Sequence, residues 1–583
     1  MAIQITTEPL AFRRFVMTGA AVGLFVLASL NCWLVTEVPL DDAFVYFRYA
    51  QNHAAGFGPV FNLDEAVEGY SSVLWMMLLN TVAAINLPLP WSAQFMSIAS
   101  YLATLALIVG ASRMTHGLKW MAPLHFAASL APAMWAGMAL ETSFFSLLVL
   151  ASVLACLRFD RTREERTCVG ILLVALALAR PEGIVLSCAL LAFLCVVTPP
   201  GDLRGRLRHM SWYFLPFLLW IFFLVGRYHF YGHLQPNTYY VKVGNNLNAL
   251  TRGARYLIDF LNSNSGTAWL LPLMAIYGAF FRRDRRWWIL IISVVTLCLT
   301  TVMSGGNNWP YWRYAMPLFP LVTLLVAEFF SDGWGLTQGG GRKLGCVGRC
   351  LVVYLLCVFI LARTLCAGLV TDRLISFVAG NRDFQSYAEF HGRVYRAMLR
   401  DTQSIALNPM PFVSAHFDGP IIDMLGLVDE HIAHRPMAMG RLVHSHEKGD
   451  GEYVLERRPT IILFRGGLDF SPTPPRYPNP KDLYFVSDVE IAVSPLFREL
   501  YEPLAVWVPL GRGYLDAFKL RKEALTTVDP SELDSIYVRT IGRARTVVPL
   551  NLQLLSSLQK IVEGRLQHPS FRVGWQIVEM VSP

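Results

Sequence analysis

Between Phe15 and Cys366 the chain is a succession of apolar runs broken by short polar loops. Many of these runs approach the ~20 residues an α-helix needs to cross a ~30 Å hydrocarbon core. Lipid offers no partner to a peptide group, so segments of this kind can only be helices that satisfy their own backbone. Spans are expected at Phe15–Val35 and at residues 92–112, 119–138, 142–158, 168–180, 183–198, 211–228, 266–282, 287–303, 313–331 and 348–368. With 54% hydrophobic and only 16% charged residues and a mean hydropathy of +0.41, the chain is too apolar for a soluble enzyme. The fold class expected is therefore a polytopic α-helical membrane domain of about eleven spans, residues 1–368. A C-terminal mixed α/β soluble domain follows, residues 369–583.

Charge sets the orientation. Arg13 and Arg14 precede the first span and stay in the cytoplasm under the positive-inside rule, which puts Asp41 and Asp42 outside. The later basic loops, such as Arg158–Arg166 and Arg342–Arg349, can share that cytoplasmic side on one condition: Ser71–Leu87 must not complete a crossing. A re-entrant or interfacial segment is therefore expected there. The first span has no small-residue cleavage site before Asp41 and reads as uncleaved. The net charge of +8 is scattered through these loops and forms no nucleic-acid footprint.

Beyond Cys366 the apolar runs become short. TIILF, LYFVSD, LAVWVPL and SIYVR, separated by turns such as SPTPPRYPNP, read as strands. Residues Val370–Arg400 and Val547–Arg565 read as helices. None of the ten cysteines lies beyond Cys366, which suits an oxidising compartment, and none has metal-binding spacing.

Polar chemistry gathers at the outer ends of the spans. Asp41 and Asp42 are adjacent carboxylates at a membrane edge, where charge is costly and marks function. One Asp suffices to cap the next helix, AFVYFRYAQNHAA, and leaves the other for a second role. On that helix Tyr46, Tyr49 and His53 share a face beside Arg48 and Asn52, an aromatic and polar surface suited to sugar, phosphate or the membrane interface. Further candidates are Glu68, Glu141 in GMALET, and Arg180, which can pair with Glu182 in RPEG. The loop RYHFYGHLQPNTYYVKVGNN offers Arg227, His229, His233 and Lys242, cations suited to a lipid phosphate. Gly232 and Pro236 argue against a helix there, so the His229/His233 spacing is weak evidence for a metal. The loop SGGNNWPYWR offers Asn307, Asn308 and Arg313 among tryptophans. In FDGPIIDMLGLVDEHIAHRP, Asp418, Asp423 and Asp429 either help bind an acceptor or cap turns.

The order DDA, FRYA, GFGPVFN and VEGY, followed by GMALET, RPEG and the two outer loops, resembles a known family. It is similar to the polyprenyl-phosphate-sugar-dependent membrane glycosyltransferases of the C superfamily, and most to arabinofuranosyltransferases that use decaprenyl-phosphoryl-arabinose. The resemblance covers the membrane half well and the C-terminal half weakly. It implies a multi-pass protein of a bacterial inner membrane, with site and C-terminal domain facing the periplasm. It also implies a polyprenyl-phosphate-linked pentose donor and a cell-envelope acceptor, cell-wall glycan or pilin. On this reading Asp41 is the base and Asp42 its orienter, and the other candidates contact substrate. No cofactor is required; if a divalent cation (Mg2+ or Mn2+) is used, Asp41 and Asp42 are its ligands. The chain carries no GxGxxG or Walker loop, which disfavours a nucleotide-sugar donor. A hexose or aminoarabinose lipid is the alternative donor. A lipid-linked sugar transporter or flippase is the alternative class, although no internal repeat supports it.

Overall fold

The structure, a computed structural model, describes residues 10–36, 38–112, 120–158, 162–197, 202–243, 247–263, 285–307, 309–338, 372–408, 411–437, 446–464, 470–546, 549–551 and 553–554. The N-terminal part is helical: α1 (Leu10–Val35), α2 (Asp41–Ala54), α3 (Val73–Ala84), α4 (Leu89–Ala111), α5 (Met121–Ala128), α6 (Leu130–Gly137), α7 (Thr142–Arg158) and α8 (Arg163–Ala179). It continues with α9 (Pro181–Val197), α10 (Leu203–Phe214), α11 (Phe217–Tyr231), α12 (Asn237–Lys242), α13 (Leu247–Ser263), α14 (Arg285–Met303) and α15 (Leu318–Gln338).

Among the described residues, three helices are long and apolar enough to cross a membrane: Met17–Val35 of α1, α4 and α14. Up to five spans result if the bent pairs α6–α7 (119°) and α10–α11 (51°) each form one. Some of the expected runs are shorter or bent in the structure. The run 119–138 is two eight-residue helices, α5 and α6, because Pro132 lacks an N–H and its ring would strike the carbonyl of Ala128 in a continuous helix. Pro216 interrupts α10–α11 in the same way. The spans expected at 266–282 and 348–368 lie outside the described residues. Within Ser71–Leu87, α3 has only 12 residues, about 18 Å of rise against a ~30 Å core.

The C-terminal region begins with α16 (Asp372–Met398) and α17 (Pro411–Ser414). Strands β1 (Ile405–Leu407), β2 (Ile421–Asp423), β3 (Ile461–Ile462), β4 (Phe470–Ser471), β5 (Tyr501–Pro503), β6 (Trp507–Val508), β7 (Gly513–Leu515) and β8 (Phe518–Leu520) are short. They form a five-stranded sheet ordered β2-β1-β3-β8-β5, with β1 parallel to both neighbours, and an antiparallel sheet β4-β7-β6. Both faces of the larger sheet are covered. Ile405, Ile421 and Ile461 point into the core shared with the N-terminal helices, while Ala406, Ile422 and Ile462 point into a second core. Period-two alternation with apolar residues on both sides is what a strand buried on two faces requires. The second face is covered by α18 (Glu430–His434), α19 (Gly451–Glu456), α20 (Val486–Val493) and α21 (Pro495–Leu500).

Two expected strands are helices. LYFVSD runs into α20, which buries Ser487, Asp488, Ile491 and Ala492 along one helical face. SIYVR lies in α22 (Pro530–Tyr537) and a π-helical turn, Val538–Gly542. Asp529 caps α22 by accepting from the Ser531 N–H, and Pro530 opens its first turn, a start signal that outweighs the β-branched run. Most of the helix expected at Val547–Arg565 lies outside the described residues.

The C-terminal region is seated on α2 by polar contacts. The Arg48 guanidinium donates to the carbonyls of Phe61, Phe417 and Gly419 at 2.9 Å, and to those of Ser414 and Asp418 at 3.4 Å. Asn62 pairs with both the N–H (3.0 Å) and the carbonyl (2.9 Å) of Ile421. Asn237, at the start of α12, donates to the Gly426 carbonyl at 2.8 Å. A Cβ on Gly69 of VEGY would lie 2.4 Å from the Val428 side chain, so only glycine lets these segments approach.

Candidate functional site

Asp41 and Asp42 open α2 as its first two residues, where the backbone N–H groups concentrate positive potential. Neither caps the helix from outside. Leu40 is the N-cap, and its N–H is held by the Met138 carbonyl at 3.2 Å. Asp41 Oδ1 accepts the Asp42 N–H at 2.7 Å. Asp42 Oδ2 pairs with Arg313 Nη1 at 2.6 Å, and Arg313 Nη2 reaches Glu141 Oε1 at 3.3 Å. Glu141 pairs in turn with Arg180, which also grips Glu182 at 2.9 and 3.2 Å. The result is a ladder of alternating charge: Glu182, Arg180, Glu141, Arg313, Asp42, with Asp41 at its end. Glu141 is fully buried, and Arg180 and Arg313 are 7% and 5% exposed. Aromatic faces line it, with Tyr314 5.0 Å from the Arg180 guanidinium and Trp135 5.8 Å from that of Arg313.

The loops that carry these groups are strained. Ala139, Tyr311 and Trp312 all have positive φ, of 60°, 60° and 52°. For residues other than glycine this conformation costs of order 1–3 kcal/mol each and persists where the surroundings over-determine it. One such restraint is the Trp135 indole, which donates to the Tyr311 carbonyl at 2.8 Å. The outcome is that Glu141 and Arg313 are held from both sides of the ladder.

The two aspartates differ in protonation. Burial, together with the neighbouring Asp42 charge, pushes the Asp41 carboxyl up to about 8. Burial also acts on Asp42, but Lys242 and Arg313 overcome it and hold Asp42 below the ordinary range. Glu141 is likewise held low, against its burial, by Arg313 and Arg180. One acid that keeps its proton near neutrality beside one that does not is the pairing used for acid–base work. Lys242, the last residue of α12, is half-buried, and its charge is felt by both aspartates. His446 of the C-terminal region is within electrostatic reach of Asp42 and Lys242, and burial keeps its imidazole below the usual range.

Of the residues expected at a site, Asp41, Asp42, Glu141, Arg180, Lys242 and Arg313 come together. Others do not join them. Arg48 is spent on backbone carbonyls, as described above. Tyr49 donates to the Val67 carbonyl and accepts the Gly69 N–H at 2.8 Å, so both hold the chain in place. Glu68 and Arg227 pair with each other at 2.9 Å. His53 and His229 are exposed, the latter in the last turn of α11, which does extend as a helix to Tyr231; Gly232 ends it at φ 75°. His233 pairs with Glu430 at 2.8 Å. Asn307 Oδ1 accepts the Trp309 N–H, and Asn308 lies outside the described residues. Asp423 and Asp429 cap turns, accepting from Leu425, Val428 and Ile432 N–H groups. His446 carries no sequence signal, because it lies some 400 residues from Asp42 in a different part of the fold.

The donor set near Asp41 and Asp42 does not call for a divalent cation. One oxygen of Asp42 is taken by Arg313, one of Asp41 by a backbone N–H, and Arg180, Arg313 and Lys242 already balance Asp42 and Glu141.

No protein-family model matches the chain, and no curated protein matches it. Among solved structures the chain path is similar to that of ArnT from Cupriavidus metallidurans bound to undecaprenyl phosphate (12% identity, TM-score 0.47, covering 72% of this chain and 87% of that one). It is similar to the apo state of the same protein (13%, 0.46, 76% and 92%). It is also similar to the archaeal oligosaccharyltransferase AglB from Archaeoglobus fulgidus in complex with an inhibitory peptide and a dolichol-phosphate (10%, 0.43, 70% and 64%).

Proposed function

We propose that this protein is a membrane glycosyltransferase that moves a sugar from a polyprenyl-phosphate carrier to a cell-envelope acceptor. The observation that carries this reading is the geometry at the start of α2: two adjacent carboxylates, Asp42 paired with Arg313 at 2.6 Å, Arg313 anchored on buried Glu141, and Lys242 within electrostatic reach, with burial raising Asp41 and the cations holding Asp42 low. In the reaction Asp41, once ionised, takes the proton of an acceptor hydroxyl. The oxygen attacks the anomeric carbon as the bond from that carbon to the phosphate oxygen breaks, and the lipid phosphate leaves with both electrons. Lys242 and Arg313 meet its growing negative charge. Asp42 and Glu141 keep Arg313 aimed.

The motif order resembling the arabinofuranosyltransferases supports D-arabinofuranose as the sugar and a glycan or pilin as the acceptor. A hexose- or aminoarabinose-phosphate lipid is the competing donor. The basic loops support a site on the outer side of the bacterial inner membrane, with residues 1–368 as the membrane domain and 369–583 as the extracytoplasmic one. The sequence carries no internal repeat of the kind that supports a lipid-sugar transporter. The test is to present purified protein with decaprenyl-phosphoryl-arabinose, or with hexose- and aminoarabinose-phosphate lipids, and an envelope extract, and to follow sugar transfer by mass spectrometry. Transfer from the pentose lipid supports the reading. Movement of intact lipid-linked sugar across a bilayer without release of polyprenyl phosphate would overturn it.

A further inference from the structure

A second cluster of metal-ligating side chains stands apart from the ladder. His233 follows α11 just beyond the left-handed Gly232, and Glu430 and His434 lie four residues apart on one face of α18. The His233 Nε2 to Glu430 Oε1 distance is 2.8 Å, the two imidazole centroids are 4.6 Å apart, and one ligand atom from each of the three residues lies within 4.8 Å of the others. It is the one such group of three among the described residues.

We propose that His233, Glu430 and His434 form a metal site, suited to Zn2+, that clasps the outer loop of the helical domain to the C-terminal region. Two imidazoles and one carboxylate are a zinc donor set, with bonds of about 2.0–2.2 Å. Tetrahedral ligands at that length stand about 3.3 Å apart, so the three atoms need shift by no more than about 1.5 Å. Asp429 sets the start of α18 by accepting the Ile432 N–H at 3.0 Å, which fixes the direction of Glu430 and His434. The Tyr240 ring lies 4.0 Å from His434 and 5.8 Å from His233, backing both imidazoles. The fourth position is available to water or ligand, because Glu430 and His434 line a cavity of about 720 Å3 with Glu65, Asp450, Tyr453 and Arg457.

The site bears on the proposed reaction through α12. That helix begins four residues after His233, ends at Lys242 and packs on α18, and Tyr240 belongs to it. A metal bound by both sides holds α12, and with it Lys242, at the distance where the ammonium acts on Asp41 and Asp42. This positioning role rests on the function proposed above; the metal site itself does not.

Full-length protein in detergent, stripped with a chelator and dialysed against Zn2+, should retain one equivalent by elemental analysis. Co2+ in its place should give the visible absorption of a four-coordinate site. His233→Ala and His434→Ala should each weaken binding by more than the ~10–100-fold that loss of a ligand's supporting hydrogen bond costs, and Glu430→Gln should weaken it too. His431→Ala, one residue from the cluster, should bind as the parent does. Added Zn2+ should raise the unfolding temperature of the parent but not of His434→Ala, and thermal unfolding of each variant without metal shows that it folds. Less than one equivalent bound, or His233→Ala and His434→Ala binding like the parent, overturns the site. A protein that holds one Zn2+ in this way but transfers no sugar overturns the proposed function and leaves the site intact.

Discussion

Asp41→Asn separates catalysis from folding. With its carboxyl raised to about 8, only about one Asp41 in ten is ionised at pH 7. Asparagine copies the protonated acid in shape, and its carbonyl can still accept the Asp42 N–H. An unfolded aspartate is ionised at pH 7 while folded Asp41 keeps its proton, so the variant, which never ionises, should be the more stable at pH 7 by up to about 4 kcal/mol. Loss of a positioned base should lower kcat/KM by about 10²–10⁴, or roughly 3–5.5 kcal/mol of transition-state stabilisation. The parent should also show a rate that climbs about tenfold per pH unit up to 8 and levels above it, since only the ionised base works. Stability runs the other way. An unfolded aspartate titrates near 3.9, so between about 4 and 8 the folded state holds a proton that the unfolded state has released, and stability falls as pH rises. Asp41→Asn should thus become the more stable protein from about pH 4 upward, by a margin that grows to pH 8 and levels above it. The assay is transfer from lipid-linked donor by purified protein between pH 6 and 9.5, with thermal unfolding in parallel. A flat rate profile for the parent, or parental kcat/KM in Asp41→Asn, would refute the assignment.

Glu141→Ala leaves the Arg180 and Arg313 guanidiniums buried without the carboxylate between them, and should cost about 3–5 kcal/mol in thermal or chemical unfolding. A loss below 1 kcal/mol would mean that the ladder is not a coupled unit. Lys242→Met should raise KM for the lipid donor and weaken inhibition by polyprenyl phosphate, each by about tenfold, with little change in unfolding temperature. Unchanged inhibition would remove Lys242 from the phosphate site. Arg48→Met strips the five carbonyls it serves, and hydrogen exchange at residues 414–421 should quicken by at least about tenfold. Parental protection there would show that α2 does not seat the C-terminal region.

Much of the helical layout was readable from local pattern. α1, α4, α8, α9, α14 and α16 fall within a few residues of the apolar or amphipathic runs that announce them, because helix length and burial follow from composition along the segment. Proline defeated length at Ser129 and at Pro216, and Asp529–Pro530 defeated β-propensity in α22; each is a local signal in the sequence that outweighs the apolar run beside it. The grouping of polar residues in the loops between apolar runs also pointed to Asp41, Asp42, Glu141, Arg180, Lys242 and Arg313. Their order in the ladder, the spending of Arg48 and Tyr49 on backbone groups, and the arrival of His446 and of Glu430 with His434 were decided by tertiary structure alone. The physical reason is range. A residue's helix or strand state answers to neighbours within a turn or two, whereas the charge state of Asp41 and the partner of Arg313 depend on groups hundreds of residues away that only the packed chain brings within a few ångströms.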